Sequence, residues 1–142
     1  MYKHILIAVD LEDGNTWQKS LDTACEYAKV FNSTLHVMTV IPNFGMSIVS
    51  SYFPSDYEEK VVEKTTQTLH DFVKVHVPEG IKVQHVVGIG SVYQEILRVE
   101  KEIDPDLIVM GTHRPNMQDY LIGPNAARVM RHAKCSVLIV RD

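Results

Sequence analysis

Short apolar runs punctuate the chain at regular intervals, and the stretches between them change to a helical period. The runs are Ile5-Leu6-Ile7-Ala8-Val9, Leu35-His36-Val37-Met38-Thr39-Val40-Ile41, Val83 to Ile89, Leu107-Ile108-Val109-Met110 and Val137-Leu138-Ile139-Val140. Three of them are apolar at every position, the pattern of strands covered by helices on both faces of a parallel sheet. His36, Thr39, Gln84 and His85 interrupt the second and third runs, which predicts less complete cover there. Trp17, Leu21, Ala24, Cys25 and Ala28 fall on one helical face. Ser55 with Glu58 forms a capping box ahead of Val61, Val62, Thr65, Leu69, Phe72 and Val73, predicting a helix from about 55 to 75 that stops before Pro78. A second box, Ser91 with Gln94, leads Ile96, Leu97 and Val99 into a helix ending before Pro105. Gly123-Pro124 puts proline where a helix begins, and Ala126, Ala127, Val129 and Met130 carry that helix toward Ala133. The order β-α-β-α-β-α-β-α-β predicts a single-domain α/β protein built on an open five-stranded parallel sheet with helices on both faces.

Composition agrees with one ordinary domain. The 142 residues are 45% apolar and 23% charged, and the net charge of −4 offers no general attraction to nucleic acid or to an anionic membrane. Cys25 and Cys135 stand far apart with no metal-binding spacing, so they read as two reduced thiols of a cytoplasmic protein. No apolar run has the length of a signal peptide core or a membrane span.

In an open α/β sheet a ligand binds beyond the carboxyl ends of the strands, where the strand order reverses. The chain places Asp10 after the first strand, Val40-Ile41-Pro42 after the second, Gly88-Ile89-Gly90 after the third and Met110-Gly111-Thr112-His113-Arg114 after the fourth. Each has a plainer reading: Asp10 as the cap of a turn, His113 as a loop hydrogen-bonder, Gly88 and Gly90 as a bare turn. The stretch from Pro42 to Pro54 is long for a loop of this kind and is a candidate lid. Tyr93 stands where a dinucleotide fingerprint requires its third glycine, and no P-loop, H-E-x-x-H or G-x-S-x-G motif occurs. Ser91 reads as a helix cap, and Glu58-Glu59-Lys60 as a solvated helix face.

Three segments carry a resemblance. Leu107 to Pro115, Tyr120-Leu-Ile-Gly-Pro-Asn-Ala-Ala127 and Val129 to Val140, with the opening Tyr2 to Asp10 and the Val87-Gly88-x-Gly90 turn, resemble the universal stress protein family and within it the enterobacterial F/G type. The resemblance spans essentially the whole chain. It implies strand order 3-2-1-4-5 in an adenine-nucleotide α-hydrolase-like fold, a homodimer and, in one branch, bound ATP. That branch reads the phosphates and ribose with the signature G-2x-G-9x-G-[ST]. Its first and last glycines fall on Gly111 and Gly123, but its middle glycine falls on Arg114 and its hydroxyl residue on Pro124. The loop is one residue short as well, with eight residues between Arg114 and Gly123.

The resemblance thus implies a nucleotide site of Ala8, Asp10, Val40 and Met110 on the adenine side and Gly111, His113, Arg114, Gly123, Pro124 and Asn125 toward the ribose and phosphates. Pro124 supplies neither an N–H nor a hydroxyl, while Arg114 adds a forked cation and Asn125 a side-chain donor. The expected ligand is ATP or AMP, with Mg2+ as an optional companion. No base is positioned on water, so slow hydrolysis of ATP is the most that chemistry allows. Val137, Leu138, Ile139 and Val140 form an apolar edge strand suited to pairing with a second copy. The reading is a cytoplasmic, dimeric stress-response regulator that binds adenine nucleotide and touches neither nucleic acid nor membrane. A nucleotide-free dimeric interaction module of the same fold is the alternative. A phosphoacceptor receiver domain is a third and weaker one, since the third strand ends without its Asp and Arg141 replaces the expected Lys.

Overall fold

The computed structural model describes residues 1–12, 17–42, 57–112 and 123–141. Five parallel strands, β1 (His4–Ala8), β2 (Thr34–Ile41), β3 (Lys82–Ile89), β4 (Leu107–Gly111) and β5 (Ser136–Val140), form one sheet in the order β3-β2-β1-β4-β5. The described helices are α1 (Gln18–Phe31), α2 (Tyr57–His76), α3 (Val92–Ile103) and α4 (Pro124–His132). None of them is long and apolar enough to cross a membrane.

Alternation along the strands sorts the core into two layers. Ile5, Ile7, Leu35, Val37, Leu107 and Val109 face α1 and α2, where Leu21, Ala24, Ala28, Leu69 and Val73 cover them. Leu6, Met38, Ile108 and Met110 face α3 and α4 and meet Ile96, Val99, Ala126 and Val129. β1 sits in the middle, with Ile5, Leu6 and Ile7 at 0% exposure. These three large apolar side chains, buried between the two layers, account for why this strand anchors the sheet.

Two expectations change on contact with the structure. β2 is well covered despite its polar residues: His36 is 7% and Thr39 5% exposed. His36 meets its need by a ring-to-ring hydrogen bond with His4 at 3.1 Å, a pairing across strands that no local pattern reveals. Of these two strands only β3, which lies at a sheet edge, is incompletely covered, and it keeps Lys82 and Gln84 exposed. The second correction concerns capping. Ser91 occupies the N-cap of α3, but its side chain makes no cap hydrogen bond, and the Gln94 amide instead donates to the Tyr93 hydroxyl at 3.3 Å. Ser55, the first residue of the other proposed box, lies outside the described residues, as do residues 43–54 of the candidate lid.

Gly88 and Gly90 prove to be different things. Gly88 is inside β3, and a Cβ there would come within 2.9 Å of Glu95 Oε1 and 3.2 Å of Met38 Cε, so its small size lets α3 pack close. Gly90 has φ +126, a conformation that L side chains rarely adopt, and its N–H donates to the Ile41 carbonyl at 2.9 Å. Cys25 and Cys135 are both free. Burial pushes their thiols up to about 11 and about 12, with the Glu100 carboxylate adding to the effect on Cys135.

Candidate functional site

An open cleft of about 1000 Å³ lies over the carboxyl ends of β1, β2 and β4, at the upper end of the range of small-molecule pockets. Its position follows from the strand order. The crossover after β1 runs through α1 to β2 on one side, whereas the connection into β4 arrives through α3 on the other face, and the helices part above β1. The floor is Ala8, Val40 and Met110, small or apolar side chains on the α3/α4 face of the sheet, suited to a flat aromatic base.

Asp10 stands at the rim, exposed, with Oδ1 accepting the Glu12 N–H at 3.0 Å. It therefore shapes the turn and borders the cleft at once, with its second carboxylate oxygen left over for a ligand N–H or O–H. Across the cleft, Gly111 ends β4 and Gly123 is the N-cap of α4, with Pro124 at the first helical position. The next two residues, Asn125 and Ala126, line the cleft, and their N–H groups belong to the first turn, where no carbonyl of the helix can reach them. The Asn125 side chain is oriented by its neighbour: Oδ1 accepts the Tyr93 N–H at 3.2 Å, so the NH₂ end remains as donor. Arg128, one turn further along α4, lies 4.6 Å from the centre of the Tyr93 ring. These two contacts fasten the starts of α3 and α4 together beside the cleft.

Of the expected site residues, Ala8, Asp10, Val40, Met110, Gly111, Gly123 and Asn125 are brought together around this one cleft. Pro124 begins α4 but does not border the cleft among the described residues. His113 and Arg114 lie outside the described residues. The residues sequence reasoning missed are on the α1/α2 side. Thr39 of β2 and Tyr57, Val61, Lys64, Thr65 and Thr68 of α2 form a wall of their own. Their spacing along the helix is that of a single face, but Lys and Thr on such a stripe look like a solvated surface until the sheet is assembled. Among the described residues no group of His, Cys, Asp and Glu is arranged to hold a metal ion.

A parallel sheet of this order with a cleft over β1, β2 and β4 and a helix N-terminus at its margin defines an open, doubly wound α/β protein. The model of the universal stress protein family matches residues 1–141, and the chain belongs to that family. It is 28% identical over 144 aligned positions to universal stress protein G of Shigella flexneri, covering 99% of this chain and 100% of that protein. Among solved structures it resembles a universal stress protein from Archaeoglobus fulgidus in complex with dAMP, with a TM-score of 0.69 and 21% identity over 97% of both chains. A universal stress protein in complex with cAMP matches with a TM-score of 0.67 and 20% identity over 99% of this chain and 97% of that one.

Proposed function

We propose that this universal stress protein binds an adenine nucleotide, ATP or AMP, in the cleft over β1, β2 and β4, and acts in the cytoplasm as a dimeric stress-response regulator. The observation that carries the reading is the convergence of an apolar floor, a carboxylate rim and unpaired N-terminal N–H groups of α4 in one cleft. The complexes of related folds with dAMP and cAMP support adenine as the base. In this reading the base rests on Ala8, Val40 and Met110, Asp10 accepts a hydrogen bond from the base or sugar edge, and the phosphates lie toward Gly111, Gly123 and Asn125. His113 and Arg114 complete that end, the Arg114 guanidinium offsetting the donors that Pro124 lacks. Mg2+ enters with the phosphates of ATP. In this reading no side chain acts as a base toward water, and the nucleotide serves as a signal, with slow hydrolysis at most.

Calorimetric titration with ATP, AMP and GTP tests this. Saturable binding of one adenine nucleotide per chain, with GTP markedly weaker, is expected. An absence of binding to any nucleotide would leave the alternative, an interaction module with a vestigial cleft.

The dimer rests on β5. Among the described residues it pairs with β4 alone, and Val137, Leu138, Ile139 and Val140 are only half-buried at the edge of the sheet. A two-fold axis through that edge would satisfy both copies at once. Leu138→Pro removes a donor from the middle of the strand. Light scattering should find a dimer for the natural chain and a monomer with folded circular dichroism for the variant. A natural chain that is monomeric at micromolar concentration removes this part of the reading.

A further inference from the structure

We propose that His70 of α2 and His85 of β3 form an acid-sensitive clasp that fastens the α2 wall of the cleft to the edge of the sheet, and that acidification releases it. The two imidazoles stack face to face across the seam, with ring centres 3.6 Å apart and planes inclined by 15°. Alternation along β3 turns Val83, His85 and Val87 toward α2. A titratable ring thus occupies the middle of the three positions on which that helix rests. His70 is exposed and takes protons directly from solvent, whereas His85 is half-buried.

The stack tolerates one proton better than two. A second puts like charges at about the separation of the ring centres, and like charges so close disfavour the doubly charged form. The surroundings offer little to offset it. Along β2 the register sets Leu35, Val37 and Thr39 beside Val83, His85 and Val87, and none of them titrates. On α2 the charged neighbours of His70 are Asp71, whose carboxylate accepts the Gln67 amide at 3.0 Å, and Lys74, one turn on; both are exposed. Lys82 of β3 alternates to the other face of the sheet. α1 meets α2 at Trp17, with Phe72 and His76 at 4.6 and 4.5 Å, and a protonated His76 is attracted to the indole ring. Burial, and after it His70, hold the His85 imidazole below the usual histidine range, with no carboxylate acting in the other direction. The clasp is therefore closed above the ordinary histidine value of about 6.5, and as pH falls the released state takes up protons that the stacked state resists.

One helix carries both the clasp and the wall. Tyr57, Val61, Thr65 and Thr68 line the cleft, and Thr68 stands two residues before His70. Leu69 and Val73 remain in the core, so release shifts the wall without unfolding the sheet. The consequence for ligand affinity rests on the nucleotide reading; the clasp itself does not.

Hydrogen exchange read by mass spectrometry at pH 7.5 and 5.5, corrected for the intrinsic pH dependence of exchange, tests the clasp without ligand. Relative to α1, the natural chain should exchange α2 severalfold faster at the lower pH. His85→Phe keeps a ring in the stack that cannot be protonated and should show no such change. His70→Gln, at an exposed position, should flatten the response in the same way and serves if His85→Phe does not fold. No acid effect confined to α2, or the same effect in the variants, overturns the clasp. Calorimetry with AMP then tests the link to the cleft: on acidification the natural chain should lose severalfold more affinity than His70→Gln, the ionisation of AMP being common to both. Equal losses overturn that link. AMP bound by neither chain at either pH overturns the nucleotide reading, and the exchange result still decides the clasp.

Discussion

The two ends of the sheet are finished in opposite ways. At the amino ends of the strands, backbone and side chains are tied together. The Asp106 carboxylate accepts the Lys3 and His4 N–H groups at 2.8 and 2.9 Å, which holds its carboxyl below the usual range. The Ser33 hydroxyl donates to the Tyr2 carbonyl, His4 pairs with His36, and Glu100 accepts the Lys134 and Cys135 N–H groups at 2.9 and 3.2 Å. At the carboxyl ends, Asp10 and Asn125 each keep part of their hydrogen-bonding capacity among the described residues. The same sheet is a closed structure at one end and an open set of donors and acceptors at the other. The long-range hydrogen bonds gather at the amino end, which leaves the cleft end free to be incomplete.

Substitutions at the two ends should therefore separate stability from affinity. Glu100 is 7% exposed and serves two N–H groups, so Glu100→Ala should destabilise the fold by about 2 kcal/mol in urea unfolding, the scale of lost bonds to a charged acceptor, with nucleotide affinity unchanged. Asp10→Ala should do the reverse, weakening adenine-nucleotide binding by about 1–2 kcal/mol while stability moves by less than about 0.5 kcal/mol. Equal loss of stability in both variants would erase the distinction between the ends.

How the chain announces these two ends differs. The floor of the cleft, Ala8, Val40 and Met110, was legible through the family resemblance, which the strand ends and the local signals of Gly111 and Gly123-Pro124 fitted. The α2 wall was not, since Lys64, Thr65 and Thr68 line a cleft only once α2 is laid beside the ends of strands that lie far from it in the chain. The closed end was harder still. Asp106 and His4 meet across a separation of 102 residues, and nothing in a local window identifies either as the other's partner. Ser91 shows the converse: its capping box is a good local pattern, but Asn125 from a different helix supplies the bond to the Tyr93 N–H.

A smaller effect sharpens the comparison through pH. Burial, with the neighbouring His4, lowers the His36 pKa, and burial with His70 lowers that of His85, whose ring stacks on His70 at 3.6 Å. A histidine depressed in the folded state leaves stability whole above the unfolded value of about 6.5; as pH falls below that, the unfolded chain takes up protons first and the fold weakens. The urea midpoint should thus drop between pH 7.5 and 5.5, and His36→Gln should make the drop shallower. An unchanged slope would mean that the His4–His36 pair does not help to hold the closed end together.

The central position of β1 has a consequence for how the molecule comes into being. Of the five strands β1 is made first, and β2 can pair beside it and β3 beside β2 as soon as they emerge, but the other neighbour of β1, β4, begins at Leu107. During synthesis the three-stranded half-sheet carries one raw edge on its most apolar strand until about three-quarters of the chain is out. Ile5, Leu6 and Ile7, fully hidden in the finished molecule, are then the residues most open to the wrong partner. The last strands added are thus the ones that turn a sticky intermediate into a safe one, and a ribosome stalled before β4 should release a chain that aggregates or holds on to a chaperone.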